Sequence, residues 1–149
     1  MLDKIYLIIL TAIAPISELR GSIPLGLYLG LDPVTTFFVS VISNTLIFFP
    51  IYFVVELFYE KIFSNITFFK KYLERSRRIG KPYVDKYGIL GLMIFVAVPL
   101  PLTGAWTATL LAWLMGMDLK KSFITIALGV LVAGLIVMAI SLGVFELIF

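Results

Sequence analysis

Residues 15–24 read Pro15-Ile16-Ser17-Glu18-Leu19-Arg20-Gly21-Ser22-Ile23-Pro24, two opposite charges set between charge-free apolar runs at 5–17 and 21–31. A second stretch, Val98-Pro99-Leu100-Pro101-Leu102-Thr103-Gly104-Ala105-Trp106, interrupts the charge-free run 87–117. Proline removes an N–H donor and glycine admits unusual dihedrals, so both stretches break helices. A hydrocarbon core of about 30 Å needs about 20 helical residues. Neither 5–17 nor 21–31 reaches that length, whereas 33–55 and 122–145 do. Each half of the chain therefore reads as apolar half-helix, break, apolar half-helix, turn and long span.

Composition puts these runs in a membrane. The chain has 149 residues, 61% hydrophobic and 14% charged, with a mean hydropathy of +1.09. Soluble chains are about 45–50% apolar and about 25% charged, and nine acids with twelve bases cannot coat a globule in water. There is no Cys and no His. That removes disulfides, thiol nucleophiles, thiolate metal sites and the commonest general base and zinc ligand. No metal, cofactor or enzymatic activity is expected. Chemistry is left to carboxylates, hydroxyls, arginine and backbone dipoles, a set that suits a transporter.

The net charge of +3 conceals a division. Residues 61–86 carry eight bases and two acids, +6, while the remainder carries four bases and seven acids, −3. A basic block between apolar runs marks a cytoplasmic segment beside anionic headgroups rather than a nucleic-acid site. Ile62, Ile66, Phe69 and Leu73 step by four, three and four, which predicts an amphipathic helix at the membrane surface. Lys70, Lys71, Arg75, Arg77 and Arg78 are its lipid-facing candidates. A linker helix packed on its own protein is the alternative. Gly80 and Pro82 are expected to end one helix and open another.

An offset of 86 residues aligns the halves, placing Pro15 on Pro101, Leu25 on Leu111, Gly30 on Gly116, Asp32 on Asp118 and Phe37 on Phe123. Asp32 before Pro33, and Asp118, read as N-caps of the long spans; Pro50 should kink the first of them. Positive-inside reasoning chooses between four spans and two spans with re-entrant hairpins. The hairpin scheme keeps Lys120 and Lys121 on the cytoplasmic side with 61–86 and leaves both termini outside. The expected fold is therefore an all-α integral membrane protein of two inverted repeats, each a re-entrant helical hairpin (4–31, 87–117) plus one long transmembrane helix (33–58, 119–147). Repeat one covers 1–59, the basic amphipathic linker 60–86 and repeat two 87–149, in a single membrane domain. Hairpin tips would meet from opposite faces near the midplane, the plan of many secondary transporters.

Chemistry concentrates at the tips. An ionisable group in the membrane is costly and is usually paired or faces a cavity. Glu18 is suited to carrying a proton or meeting a cation, Arg20 to holding an anionic group. In the second tip Thr103 adds a hydroxyl, and the half-helix starting near Ala105 points a positive dipole end at the break. Ser17, Asn44 and Gly104 complete the substrate or ion-binding candidates. Pro15, Gly21, Pro24, Pro99, Pro101 and Trp106 are read as shaping the tips. A structural ion pair is the plainer alternative for Glu18 and Arg20.

Pro15-x-x-Glu18-x-Arg20-x-x-Ile23-Pro24-x-Gly26 and Pro99-x-Pro101-x-Thr103-Gly104-Ala105-Trp106 resemble the two signatures of the putative small multidrug export protein family, itself similar to the DedA (SNARE-associated/VTT-domain) superfamily. The resemblance implies paired inverted hairpins, frequent homodimers, and proton-dependent drug tolerance or flipping of lipids such as polyprenyl phosphates, with the functional acid and arginine at Glu18 and Arg20. The second tip departs from the DedA pattern in lacking a further arginine. The function expected is a small secondary transporter of an amphiphile or lipid-linked anion, coupled to protons or another ion, working in the cell membrane as a homodimer. The alternative is a non-transporting scaffold that docks lipid or a partner through the 61–86 helix.

Overall fold

The computed structural model describes residues 1–59, 61, 65–100 and 102–148. These form eight α-helices and, among the described residues, no strand: α1 (Leu2–Ile13), α2 (Glu18–Tyr28), α3 (Pro33–Leu46), α4 (Phe48–Phe58), α5 (Thr67–Tyr87), α6 (Ile89–Ala97), α7 (Ala105–Leu114) and α8 (Leu119–Ile148). Pro33–Phe58 and Leu119–Ile148 are long and apolar enough to cross a membrane. They begin and end within a residue of the long helices expected at 33–58 and 119–147, and overrun the charge-free runs 33–55 and 122–145 by three residues at three of four ends. The first is interrupted at Ile47, where α3 gives way to α4. Pro50 has no N–H to return to the Leu46 carbonyl, so the break falls where the proline weakens the ladder.

The chain doubles back between α1 and α2. Lys4 Nζ at the start of α1 donates to the Leu29 carbonyl at the end of α2 at 2.6 Å. The turn that follows is a Schellman motif: Leu31 N–H bonds the Gly26 carbonyl and Gly30 N–H the Leu27 carbonyl, with Gly30 at φ +74°. Only glycine adopts that dihedral without cost. Asp32 then caps α3, its carboxylate accepting from Thr35 N–H. The same bonds recur 86 residues later. Met117 N–H bonds Ala112 O, Gly116 N–H bonds Trp113 O, Gly116 sits at φ +65°, and Asp118 accepts from Lys121 N–H.

Helix α8 is the centre of the packing. It lies against α2, α3, α6 and α7, and its glycines set the closest approaches. A Cβ at Gly129 would stand 2.6 Å from Val96 Cβ and 2.9 Å from the Met93 carbonyl of α6; one at Gly134 would stand 2.7 Å from Val41 of α3. Gly129 and Ala133 thus serve close helix packing, as small residues four apart do. The outward faces of the spans remain apolar, with Phe38, Ile42 and Leu46 on α3 and Leu128, Leu135 and Ile140 on α8 all exposed. A soluble monomer does not leave apolar surface on that scale.

Helix α5 corrects one expectation. It runs unbroken from Thr67 to Tyr87 through Gly80 and Pro82. Tertiary packing overrides the local breakers: Ile79 packs against the core and Val84 is buried in it, while Pro82 lies exposed, where water can take the carbonyl it frees. The helix packs on α6 and α7. Ile66 and Phe68 are exposed and Phe69 is half-buried; Ile62 and the Leu73 side chain lie outside the described residues.

Candidate functional site

The two breaks meet. Arg20 Nη2 donates to Thr103 Oγ1 at 2.9 Å, and Arg20 Nη1 lies 3.6 Å from Glu18 Oε2. Residues i and i+2 of a regular helix do not face each other. Glu18 takes the left-handed φ of +47°, which turns its side chain out of the α2 register. A non-glycine residue there carries about 1–3 kcal/mol of strain that the surroundings must hold. Leu102 in the second break has φ +69°, so each tip stores one such residue.

The Glu18 carboxylate is only 3% exposed and caps the N-terminus of α7. Trp106 N–H donates to Oε1 at 3.3 Å, and the helix dipole favours a negative charge at this end. Gly104 makes the approach possible, because a Cβ there would overlap the carboxylate. A buried charge must be paired and hydrogen-bonded, and here the Trp106 amide and the Arg20 guanidinium meet that need.

The carbonyls at the end of α1 show why the first tip keeps its shape. A helix C-terminus leaves its last carbonyls without intrahelical partners. Ala14 N–H takes Leu10 O and Glu18 N–H takes Ala14 O. Ser17 Oγ donates to Thr11 O at 2.7 Å, Asn44 Nδ2 to Ala12 O at 2.8 Å, and Trp106 Nε1 to Ile13 O at 2.9 Å. Ser17, Asn44 and Trp106 thus spend donors on the backbone. In the second tip, Thr103 Oγ1 lies 2.6 Å from Val98 O and 2.7 Å from Leu100 O and accepts from Leu100 N–H at 3.1 Å. Its hydrogen-bonding capacity is taken up inside the tip and by Arg20.

Two tip residues sit elsewhere than expected. Gly21 and Pro24 lie inside α2, because the helix restarts at Glu18 and the break is confined to residues 14–17. Gly21 still serves the tip, since a Cβ there would stand 2.8 Å from Ser17 Cβ. Pro24 removes the amide that would pair with the Arg20 carbonyl. Pro15 follows α1 directly and Pro99 lies in the second break; Pro101 is outside the described residues. On α5, Lys70, Lys71, Arg75 and Arg78 are exposed, and the Arg77 side chain is outside the described residues.

Beside the ion pair lies an apolar cavity of about 570 Å³, lined by Pro15 and Ile16 of the first tip, Leu102 and Trp106 of the second, Pro50 and Val54 of α4, and Phe69 and Tyr72 of α5. Tyr72 hydroxyl is 3.2 Å from Thr107 Oγ1, which ties α5 to α7. Trp106 belongs to both features, its amide on Glu18 and its ring on the cavity. Sequence reasoning named neither this cavity nor Tyr72. The only signal was an aromatic pair, Phe69 and Tyr72, at helical spacing on a basic helix.

No curated protein and no solved structure matches the chain. One family model does, that described as Putative small multi-drug export protein, over residues 18–136. The match takes in Glu18 and Arg20, the second tip, the α5 helix and residues 119–136 of α8. The chain belongs to the Putative small multi-drug export protein family.

Proposed function

We propose that the chain is a small secondary transporter whose substrate enters the apolar cavity and whose coupling group is Glu18, held against Arg20 at the meeting of the two tips. The observation that carries this reading is the Glu18–Arg20–Thr103 connection beside a cavity lined by both tips. A cavity with such walls suits an apolar or amphiphilic substrate such as a lipophilic drug. Arg20 contributes the anion contact that a lipid-linked phosphate would use once its bond to Thr103 opens. Protonation of Glu18, or arrival of another coupling ion, weakens its hold on Arg20 and on the Trp106 amide and lets the tips part.

On this reading α1–α2 and α6–α7 are re-entrant hairpins of two inverted repeats, the plan shared with the DedA superfamily, and a second copy of the chain completes the path. Two observations support the repeat. The Schellman turn and Asp cap recur bond for bond at an offset of 86. Glu18 also touches Gly104, its own mate at that offset, as residues beside a two-fold axis do. The basic face of α5 then lies toward the cytoplasmic headgroups, both termini lying on the other side.

Reconstitution tests the proposal. Vesicles carrying the wild-type chain are expected to move a lipophilic cationic dye or a fluorescent phospholipid analogue under a pH gradient, and the two probes separate the substrate classes. Glu18→Gln and Arg20→Ala are expected to abolish movement in folded protein. Retained transport in both variants overturns the assignment. Loss of function on charge reversal at Arg75 and Arg78, with Glu18→Gln active, favours the scaffold role for α5 instead.

A further inference from the structure

The interior between α1, α2 and α3 is lined by polar groups that nothing satisfies. Ser22 Oγ, Thr36 Oγ1, Ser40 Oγ and the Asn44 Oδ1 oxygen are buried without a hydrogen-bond partner, and their residues are 0%, 0%, 0% and 1% exposed. A buried polar group left unpartnered is costly, so four together call for a ligand. They share one seam. Thr36, Ser40 and Asn44 stand four apart on α3, and Ser22 and Gly26 stand four apart on α2. The short turn after α2 makes the two helices antiparallel, and a Cβ at Gly26 would overlap Thr36. That contact fixes the register, which sets Ser22 against Ser40, and Asn44 reaches the end of α1 at the tip that carries Glu18. Ile8 closes the far end from α1, and Ala12 joins the Glu18 end through its bond to Asn44.

The other half of the chain supplies a control. At the offset of 86, Ser22, Gly26, Ser40 and Asn44 correspond to Ala108, Ala112, Ile126 and Val130, all of them fully buried, while Thr36 corresponds to Ser122, whose buried hydroxyl also has no partner. Apolar residues therefore fill three of the four polar places of the seam in the other half, and only the Thr36 position stays polar there.

We propose that this seam holds a file of water molecules that, with the Thr36, Ser40 and Ser22 hydroxyls, carries protons between the α2–α3 turn and Glu18. Residues four apart on a helix are about 6 Å apart along its axis, so one water between successive hydroxyls closes each gap. Each hydroxyl or water accepts a proton on a lone pair and releases its own onward. The last transfer makes the Glu18 carboxylate a carboxylic acid, and rotation of the hydroxyls resets the file. The Asn44 oxygen only accepts, so it anchors the water next to Glu18. The outer end lies at the α2–α3 turn, where Asp32 is exposed. Arg20 from α2 faces Glu18, and the Tyr72 phenol of α5, bonded to Thr107, is held above its ordinary pKa first by burial and also by the Glu18 charge. Helices α3 and α7 contain no titratable residue, and those of α1 and α8 lie toward the helix ends away from the tip.

The inference rests on Glu18 as coupling group, and infrared difference spectroscopy separates the two. The wild-type chain in phosphatidylcholine vesicles is given a pH jump, and the carboxylic acid band absent from Glu18→Gln is followed in time. Thr36→Val and Ser40→Ala are expected to slow its appearance about ten-fold, as loss of one link in a hydrogen-bonded chain should, without changing its final size. Ser40→Thr, which keeps the hydroxyl, restores the rate. The melting temperature gives a readout independent of protons: it stays or falls in Thr36→Val and Ser40→Ala if they displace bound water. An unchanged rate, or a raised melting temperature in both variants as a dry seam would give, overturns the file while leaving Glu18 intact. Absence of the Glu18 band at any pH overturns the coupling role and the file together.

Discussion

Gly104→Ala is the most informative single substitution in the molecule. The Gly104 backbone, at φ −90° and ψ −168°, is open to alanine, so nothing in the dihedrals resists the change. In the unfolded chain the methyl would favour folding by about 0.4–1 kcal/mol. Against this, the new Cβ overlaps the Glu18 carboxylate, and the carboxylate must leave the α7 N-terminus. Losing a cap costs about 1 kcal/mol, losing a charge at the dipole about 0.3–1, and crowding a packed tip about 1–3. The balance is a destabilisation of about 2–4 kcal/mol. Unfolding in detergent, followed through Trp106 and Trp113 emission, measures it. The decisive measurement is the cycle with Glu18→Ala, which vacates the space the methyl needs. The double variant should be at least about 1 kcal/mol more stable than the sum of the single effects allows. Wild-type stability in Gly104→Ala, or strict additivity in the cycle, would show that Glu18 does not sit on Gly104.

Three further outcomes follow from the same contacts. Asn44→Leu strips the Ala12 carbonyl of its donor and is expected to lower stability by about 1–3 kcal/mol in the same unfolding assay; no loss would mean that water or another donor already serves that carbonyl. Gly129→Ala drives a methyl against Val96 Cβ and the Met93 carbonyl, one of them backbone that cannot step aside, and should cost about 1–3 kcal/mol. Cysteines at Lys61 and Lys120, both exposed, should label from the same side of sealed vesicles; labelling from opposite sides would refute the re-entrant hairpins.

The long spans and the pairing of breaks were legible because their signals are local and redundant. Charge-free length, an aspartate before each span and a glycine two residues earlier all fall at the same places, and the turn chemistry of Gly30 and Gly116 follows from residue type alone. The extent of the first break was not legible. Gly21 and Pro24 look like breakers, yet α2 absorbs both, since the left-handed Glu18 has already made the turn. Gly80 and Pro82 mislead for a related reason: burial of Ile79 and Val84 holds α5 together across them. The caps on α1 come from Asn44 and Trp106, 32 and 93 residues from the carbonyls they serve, and no local pattern reveals a donor so distant. Thr36 and Ser40 did leave a trace, since with Asn44 they are polar every fourth residue along a charge-free span.

The asymmetry of the tips has a physical reason on the inverted-repeat reading. Residues equivalent by a two-fold operation that also lie beside its axis must touch one another. Two glutamates at that spot would bring like charges together in a dry site, and two glycines would leave a void with α7 uncapped. One carboxylate and one glycine fill the space and place negative charge on the positive end of a helix. Arg20 and Trp106, also paired by the 86-residue offset, divide the remaining work, the guanidinium reaching Thr103 and the indole closing α1. The second tip has no arginine of its own and needs none for closure, since Arg20 crosses to it. On the proposed reading, opening the site therefore turns on this ion pair, which protonation of Glu18 weakens.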